Sequence, residues 1–168
     1  MQKTDESIRR ICIASIKRHT IKPIDYPLTR IFEKQSLSEI DKVISSTFNH
    51  LDNELPIAIT YVDINNWTLL TTKRIISNIK GVLTQTFASK VVKRTWGDFK
   101  GYKEKPTTLG YLTLNDNTTM NILTETGAAS MIMIYGIMTL TGQETSTEEQ
   151  INKTLKRYQN RGFFDELD

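Results

Sequence analysis

Between Ser89 and Lys105 the chain reads SKVVKRTWGDFKGYKEK, in which Lys90, Lys93, Arg94, Lys100, Lys103 and Lys105 interleave with Trp96, Phe99 and Tyr102 around two glycines. Cationic side chains can neutralise an anion while aromatic rings stack on it or pack against it, as at nucleic-acid and membrane surfaces. The same residue types anchor protein interfaces, where Trp, Tyr and Arg carry much of the binding energy. The competing structural reading is a hairpin whose aromatics fold back and whose lysines face water. These nine residues are the expected binding site, centred on the loop from 96 to 106. A second basic group lies on the first predicted helix, where Arg10, Lys17 and Arg18 fall near one another and Arg9 adjoins them; a solvated helix face accounts for it.

Signatures of catalysis are missing from the sequence. It has no Gly-rich phosphate loop, no Gly-x-Ser-x-Gly elbow and no His-Glu-x-x-His. Asp63 with Asp98 or Glu125 is the one carboxylate pairing that acid–base chemistry could use, and nothing in the spacing brings them together. His19 and His50 stand alone at predicted helix ends, where the helix dipole favours a cation, so both are expected to cap rather than ligate. Cys12 falls on an apolar stripe and is expected to pack inertly. Being the single cysteine, it excludes an intramolecular disulfide and fits a reducing cytoplasm. The expectation is a non-enzymatic protein with no cofactor and no metal.

Composition supports a folded core: apolar residues make up 38% of the 168 positions and charged ones 24%, too apolar and too evenly mixed for a disordered chain. The net charge of +3 is mild but clustered. Residues 1–22 and 89–105 each hold six basic against two acidic side chains, whereas 144–168 hold six acidic against four basic. That clustering keeps anionic partners open. No basic-then-apolar leader opens the sequence, and the longest apolar stretch, GAASMIMIYGIMTL at 127–140, falls short of the roughly 20 residues a membrane helix needs. It is expected to be a buried helix.

The elements that must position these residues follow from periodicity. Thr4 is a candidate cap for a helix burying Ile8, Ile11, Cys12 and Ile16. Pro23 and Pro27 then favour an extended linker over 20–35. Ser36 and Glu39 have capping-box spacing before Leu37, Ile40, Ile44, Phe48 and Leu51, which predicts a second helix over 36–51. From Asn53 onward Thr, Ile, Val and aromatics recur between Asn, Asp and Gly breaks, predicting strands at 56–64, 67–71, 74–79, 82–87, 90–96, 108–114 and 118–123 joined by short hairpins. In WTLLTTKRIISNIKG, residues 67–81, the Thr72-Lys73 break makes a hairpin, with Arg74 expected to tie down the strand edge rather than hold a ligand. Ser146 and Glu149, with Ile151, Leu155 and Tyr158 and a cap at Gly162, predict a terminal amphipathic helix.

A meander of about seven short strands followed by one apolar helix resembles the pleckstrin-homology-like barrel. The stretch Leu69-Leu70, Thr71, Thr72-Lys73, Arg74, Ile75-Ile76 and Gly81 is similar to the strand-turn-strand of bacterial pleckstrin-homology and GRAM-type domains, and TLGYLTLNDNTTMNIL fits the strands before the helix. The resemblance covers about 54–141. It implies binding rather than catalysis. The apolar helix lacks the tryptophan usual in eukaryotic members, which counts against a phosphoinositide ligand. The sequence thus predicts an α+β protein: an N-terminal helical extension at 1–53, an antiparallel barrel or strongly bent sheet with its helix at 54–141, and a terminal helix at 142–168. The expected function is capture of a macromolecular partner, in one concrete version a bacterial toxin by a cytoplasmic immunity protein.

Overall fold

The computed structural model describes residues 3–22, 24–101, 104–143, 156, 157 and 160. Helix α1 (Asp5–His19) starts where the sequence places it: the Thr4 hydroxyl accepts the Ser7 N–H at 3.3 Å, with Asp5 and Glu6 in the first turn and Lys17, Arg18 and His19 in the last. Strand β1 (Thr29–Ile31) follows, then an excursion holding a 3-10 turn at Leu37–Glu39 and the single-turn helix α2 (Lys42–Ser45). Strands β2 (Pro56–Asp63), β3 (Asn66–Thr71), β4 (Arg74–Ile79) and β5 (Val82–Phe87) form consecutive hairpins. After a 3-10 turn at Ala88–Lys90 come β6 (Val91–Thr95), β7 (Thr107–Leu114), β8 (Thr119–Glu125) and helix α3 (Ser130–Gln143). The terminal helix expected from Ser146 to Gly162 lies almost wholly outside the described residues.

Three expectations are corrected. The strands make two antiparallel sheets, β1-β2-β3-β4-β5 and β6-β7-β8, with no closed barrel. The 3-10 turn at Ala88–Lys90 redirects the chain, so β6 does not continue the first ladder. The linker contains an eighth strand, because β1 pairs with β2 through Thr29↔Thr60 and Ile31↔Ala58. The helix expected over 36–51 is broken. Glu39 does accept the Ser36 N–H, but Asp41 caps a second start by accepting the Val43 N–H at 2.9 Å. The hydroxyls of Ser45, Ser46 and Thr47 then bond back to the carbonyls of Lys42, Val43 and Ile44, which competes with helix continuation. Leu37, Ile40, Ile44 and Phe48 are nonetheless buried. Apolar spacing fixed their destination, and local polar groups decided the backbone that delivers them.

The larger sheet is covered on both faces. One face joins α1, α3 and the smaller sheet in a core that includes Ile13, Ile16, Leu70, Ile75, Leu112, Ile122 and Ile137. The other carries Ile59, Trp67, Leu69 and Ile76 under the 32–48 excursion. Burial on both sides explains why β3 and β4 are near-continuous runs of buried residues rather than alternating ones. Helix α3 docks through Gly136, where a Cβ would come within 2.6 Å of Leu70 Cδ2 and 3.3 Å of Ile16 Cδ1. Its Tyr135 stacks on His19 at 3.8 Å between ring centroids. No helix among the described residues is long and apolar enough to cross a membrane.

A row of hydroxyls crosses the larger sheet at one register, Thr29↔Thr60↔Thr68↔Ser77↔Thr84. Thr68 Oγ1 lies 2.6 Å from Ser77 Oγ and accepts the backbone N–H of Leu123 on β8 at 2.8 Å. The fully buried Thr68 side chain thereby joins the two sheets. Thr68→Val keeps the shape and leaves that N–H without an acceptor, so it is expected to lower unfolding free energy by about 1–3 kcal/mol, read from urea denaturation.

Candidate functional site

The loop between β6 and β7 is tied down at both ends. Gly97, at φ +65°, brings the backbone so near β7 that a Cβ would lie 2.3 Å from the Leu109 carbonyl oxygen. The Asp98 N–H donates to Thr108 Oγ1 at 3.1 Å. Further along, Gly127 N donates to the Phe99 carbonyl at 2.8 Å, and Thr126 donates through its backbone N–H to Pro106 and its hydroxyl to Lys105. The loop therefore spans from β7 to the junction that launches α3. This set of bonds holds both flanks of the loop.

The nine expected residues separate into distinct roles. Lys90, Lys93, Lys100 and Lys105 are exposed. Arg94 is half-buried and donates through Nη1 to Thr141 Oγ1 in the last turn of α3, a favourable place for a cation. Trp96 is half-buried and packs against the first core, and Phe99 is half-buried. Tyr102 and Lys103 lie outside the described residues. Trp96 and Arg94 are thus engaged by the fold, while Lys90, Lys93, Lys100 and Lys105 face solvent.

Beside the loop is a feature that charge and aromatic counting missed. On β7, Gly110 and Leu112 face the core while Leu109 and Tyr111 point out, 47% and 42% exposed. Register sets Thr95 and Asn121 on either side of Tyr111, and Lys93 opposite Thr113. A bulge between Val91 and Lys93 leaves Val92 exposed as well. Gly110 was the available signal: a glycine inside a strand marks a close backbone approach and fixes which face its neighbours take. Here a Cβ would meet the Thr95 carbonyl oxygen at 2.3 Å.

The other candidates are accounted for individually. Asp63 accepts from Asn65 N and Asn66 Nδ2 within the β2–β3 turn, whereas Glu125 is buried at the end of β8 and accepts the Leu28 N–H at 3.2 Å. His19 Nδ1 and His50 Nε2 reach the carbonyls of Ser15 and Ser45, as helix-end residues do. Cys12 is fully buried. Among the described residues no three His, Cys, Asp or Glu side chains group as metal ligands would. Arg9 is buried and donates to the Gln35 carbonyl and to Glu6, so it leaves the expected basic helix face.

A groove of about 460 Å³ opens along the 20–35 segment that the sequence presented as a linker, lined by Lys17, Lys22, Asp25, Tyr26, Arg30 and Glu33 among others. Its innermost cation is committed, since Lys17 Nζ meets Glu33 Oε1 at 2.8 Å. The Tyr26 hydroxyl donates to the Ile21 carbonyl; burial, then the Glu125 charge, raise its pKa, which keeps it protonated and unsuited to act as a base. No family model, curated protein or solved structure matches this chain. Function rests on these surfaces alone.

Proposed function

We propose that the chain is a non-enzymatic binding module that captures a protein on the outer face of β6–β7–β8 and the loop beside it. The carrying observation is the pair of large side chains, Leu109 and Tyr111, held outward on the smaller sheet near Lys93. An apolar centre rimmed by polar and charged groups is the anatomy of a protein interface. A platform of nucleic-acid type stacks successive bases on several exposed rings, whereas on this face Tyr111 stands beside the aliphatic Leu109 and Trp96 turns toward the core. The order β2–β8 followed by α3 supports a pleckstrin-homology-like reading of the fold. With one buried cysteine and this surface, neutralisation of a toxin in a bacterial cytoplasm is the concrete version we favour.

Co-purification of the tagged full chain from its native cell, followed by titration of the recovered protein, tests this. Leu109→Asp is expected to weaken binding by about 30-fold or more, the effect of losing a central anchor. Lys93→Ala with Lys100→Ala should change it only a few-fold. Generic single-stranded DNA and anionic vesicles should bind weakly. Tight binding to either that falls steeply with salt and is lost in the lysine variant, with no protein recovered, would overturn the proposal in favour of an anionic surface.

A further inference from the structure

Sheet edges expose unpaired backbone groups, and natural proteins blunt them with short strands, charges, bulges or cover. Three of the four edges here are treated so. Strand β1 has three residues, β6 carries a bulge with Lys93 and Arg94, and β8 gives its Leu123 N–H to Thr68. Strand β5 has no such device among the described residues. It pairs with β4 over six unbroken positions, reads Val-Leu-Thr-Gln-Thr-Phe without charge or proline, and leaves Val82, Leu83 and Phe87 exposed.

The direction of its free groups follows from the hairpin. Lys80 (φ 53°) and Gly81 (φ 78°) form the two-residue turn between Ile79 and Val82, a type I′ geometry whose flanking residues exchange hydrogen bonds. At the far end Ala88 N donates to the Lys73 carbonyl at 3.0 Å. Alternation between these points turns the backbone groups of Val82, Thr84 and Thr86 to β4, and those of Leu83, Gln85 and Phe87 outward. Those three residues also share one sheet face, the one opposite Asn78, Ile76 and Arg74.

We propose that β5 pairs antiparallel with β5 of a second copy about a two-fold axis at Gln85, joining two five-stranded sheets into one. A two-fold perpendicular to the sheet preserves its faces, so opposed residues must have the same parity. Centring on Gln85 then sets Leu83 against the partner copy's Phe87 twice, and Thr84 against Thr86 twice. Apolar–aromatic and Thr–Thr cross-strand pairs are favourable, and no charge faces a like charge between Val82 and Ala88. Arg74 Nη1 occupies Gln85 Oε1 at 2.6 Å, which orients the amide nitrogen away from it. The absence of charge favours self-pairing over a charged partner strand. This surface lies on β5 rather than β7, so it is independent of the proposed binding face.

The association is expected to be weak, with a dissociation constant of roughly 10–100 μM, because two six-residue edges alone bury less than the ~1,200 Å² of a standard interface. Sedimentation velocity of the full chain between 1 μM and 1 mM (roughly a decade either side of that range) should show a monomer–dimer equilibrium. Leu83→Lys should weaken it at least about tenfold while leaving the thermal midpoint at low concentration unchanged. Amide exchange tests the register without mutation: protection of Leu83, Gln85 and Phe87 should rise with concentration, while that of Thr84 and Thr86 stays constant. A chain monomeric throughout, whether its edge is bare or covered by its own 144–168 segment, overturns the proposal. So does a dimer whose exchange at these three amides is independent of concentration.

Discussion

Arg74→Ala is expected to lower unfolding stability by about 3–5 kcal/mol, the cost of leaving a buried partner charge uncompensated. Glu54 and Arg74 are 4% and 5% exposed, and they meet twice: Nε to Oε1 at 2.9 Å and Nη2 to Oε2 at 2.6 Å. The arginine also donates to the Asn49 carbonyl and to Gln85, while Glu54 accepts the Thr71 hydroxyl and the Leu51 N–H. One guanidinium thus ties the chain entering β2 to β4 and β5. Losing it strands a carboxylate and a carbonyl together. Replacing both partners by apolar residues should cost less than the sum of the two single changes, because neither charge is then left alone.

The same pair sets a pH response. Burial opposes ionisation of Glu54, but Arg74, Thr71 and the Leu51 N–H outweigh it and hold the carboxyl below its usual range. A pKa lower in the folded state means that the unfolded chain binds the proton more readily. The pair's stabilisation is therefore complete above the unfolded value of about 4.3 and is lost as pH falls through the folded one. Urea midpoints should decline below about pH 4, and Glu54→Gln, already destabilised at neutral pH, should lack that part of the decline. Equal acid sensitivity in the variant and the parent would assign the response to other carboxylates.

What the sequence disclosed and what it hid divide along a physical line. Strand positions from β2 to β8 were legible to within one or two residues, since runs of Thr, Ile, Val and aromatic residues and turn residues such as Lys80-Gly81 are local signals. The basic turn at Thr72-Lys73 is likewise the bend it was expected to be, with Thr72 Oγ1 donating to Asp5 and Lys73 Nζ to the Asp52 carbonyl. Hidden were the facts that depend on distant partners. Thr29 finds Thr60, and Thr68 finds Leu123, across separations that no window spans. Arg94 reads as a surface cation until Thr141, 47 residues on, is placed beside it. At the candidate site the charges were legible, but which aromatic turned inward was not. Trp96 and Tyr111 are similar amphipathic side chains, and only the pairing of β6 with β7 sends one toward the core and the other to solvent.

That pairing depends on a single missing side chain. Gly110 sits where a Cβ would lie 2.3 Å from the Thr95 carbonyl oxygen and 3.1 Å from Trp96 Cα, both backbone atoms that no rotamer change can move aside. Gly110→Ala must separate β6 from β7 or rotate the strand locally. The expected cost is about 3 kcal/mol, the upper end for overpacking, because the ladder and the core contact of Trp96 are strained together. Binding should suffer beyond the loss of stability. Leu109 and Tyr111 flank Gly110 and take their outward direction from its inward one, so displacement of the strand misaligns both anchors. At a temperature where the variant remains folded by circular dichroism, affinity for the protein partner should fall by about tenfold or more. Met120→Ala, which faces the core opposite Leu112 on the neighbouring strand, serves as a control of comparable destabilisation that leaves the outer face and the Gly110 contact intact. If both variants bind equally well once folded, the outer face of β7 is not the docking surface. If only Gly110→Ala is impaired, the missing methyl group positions the site.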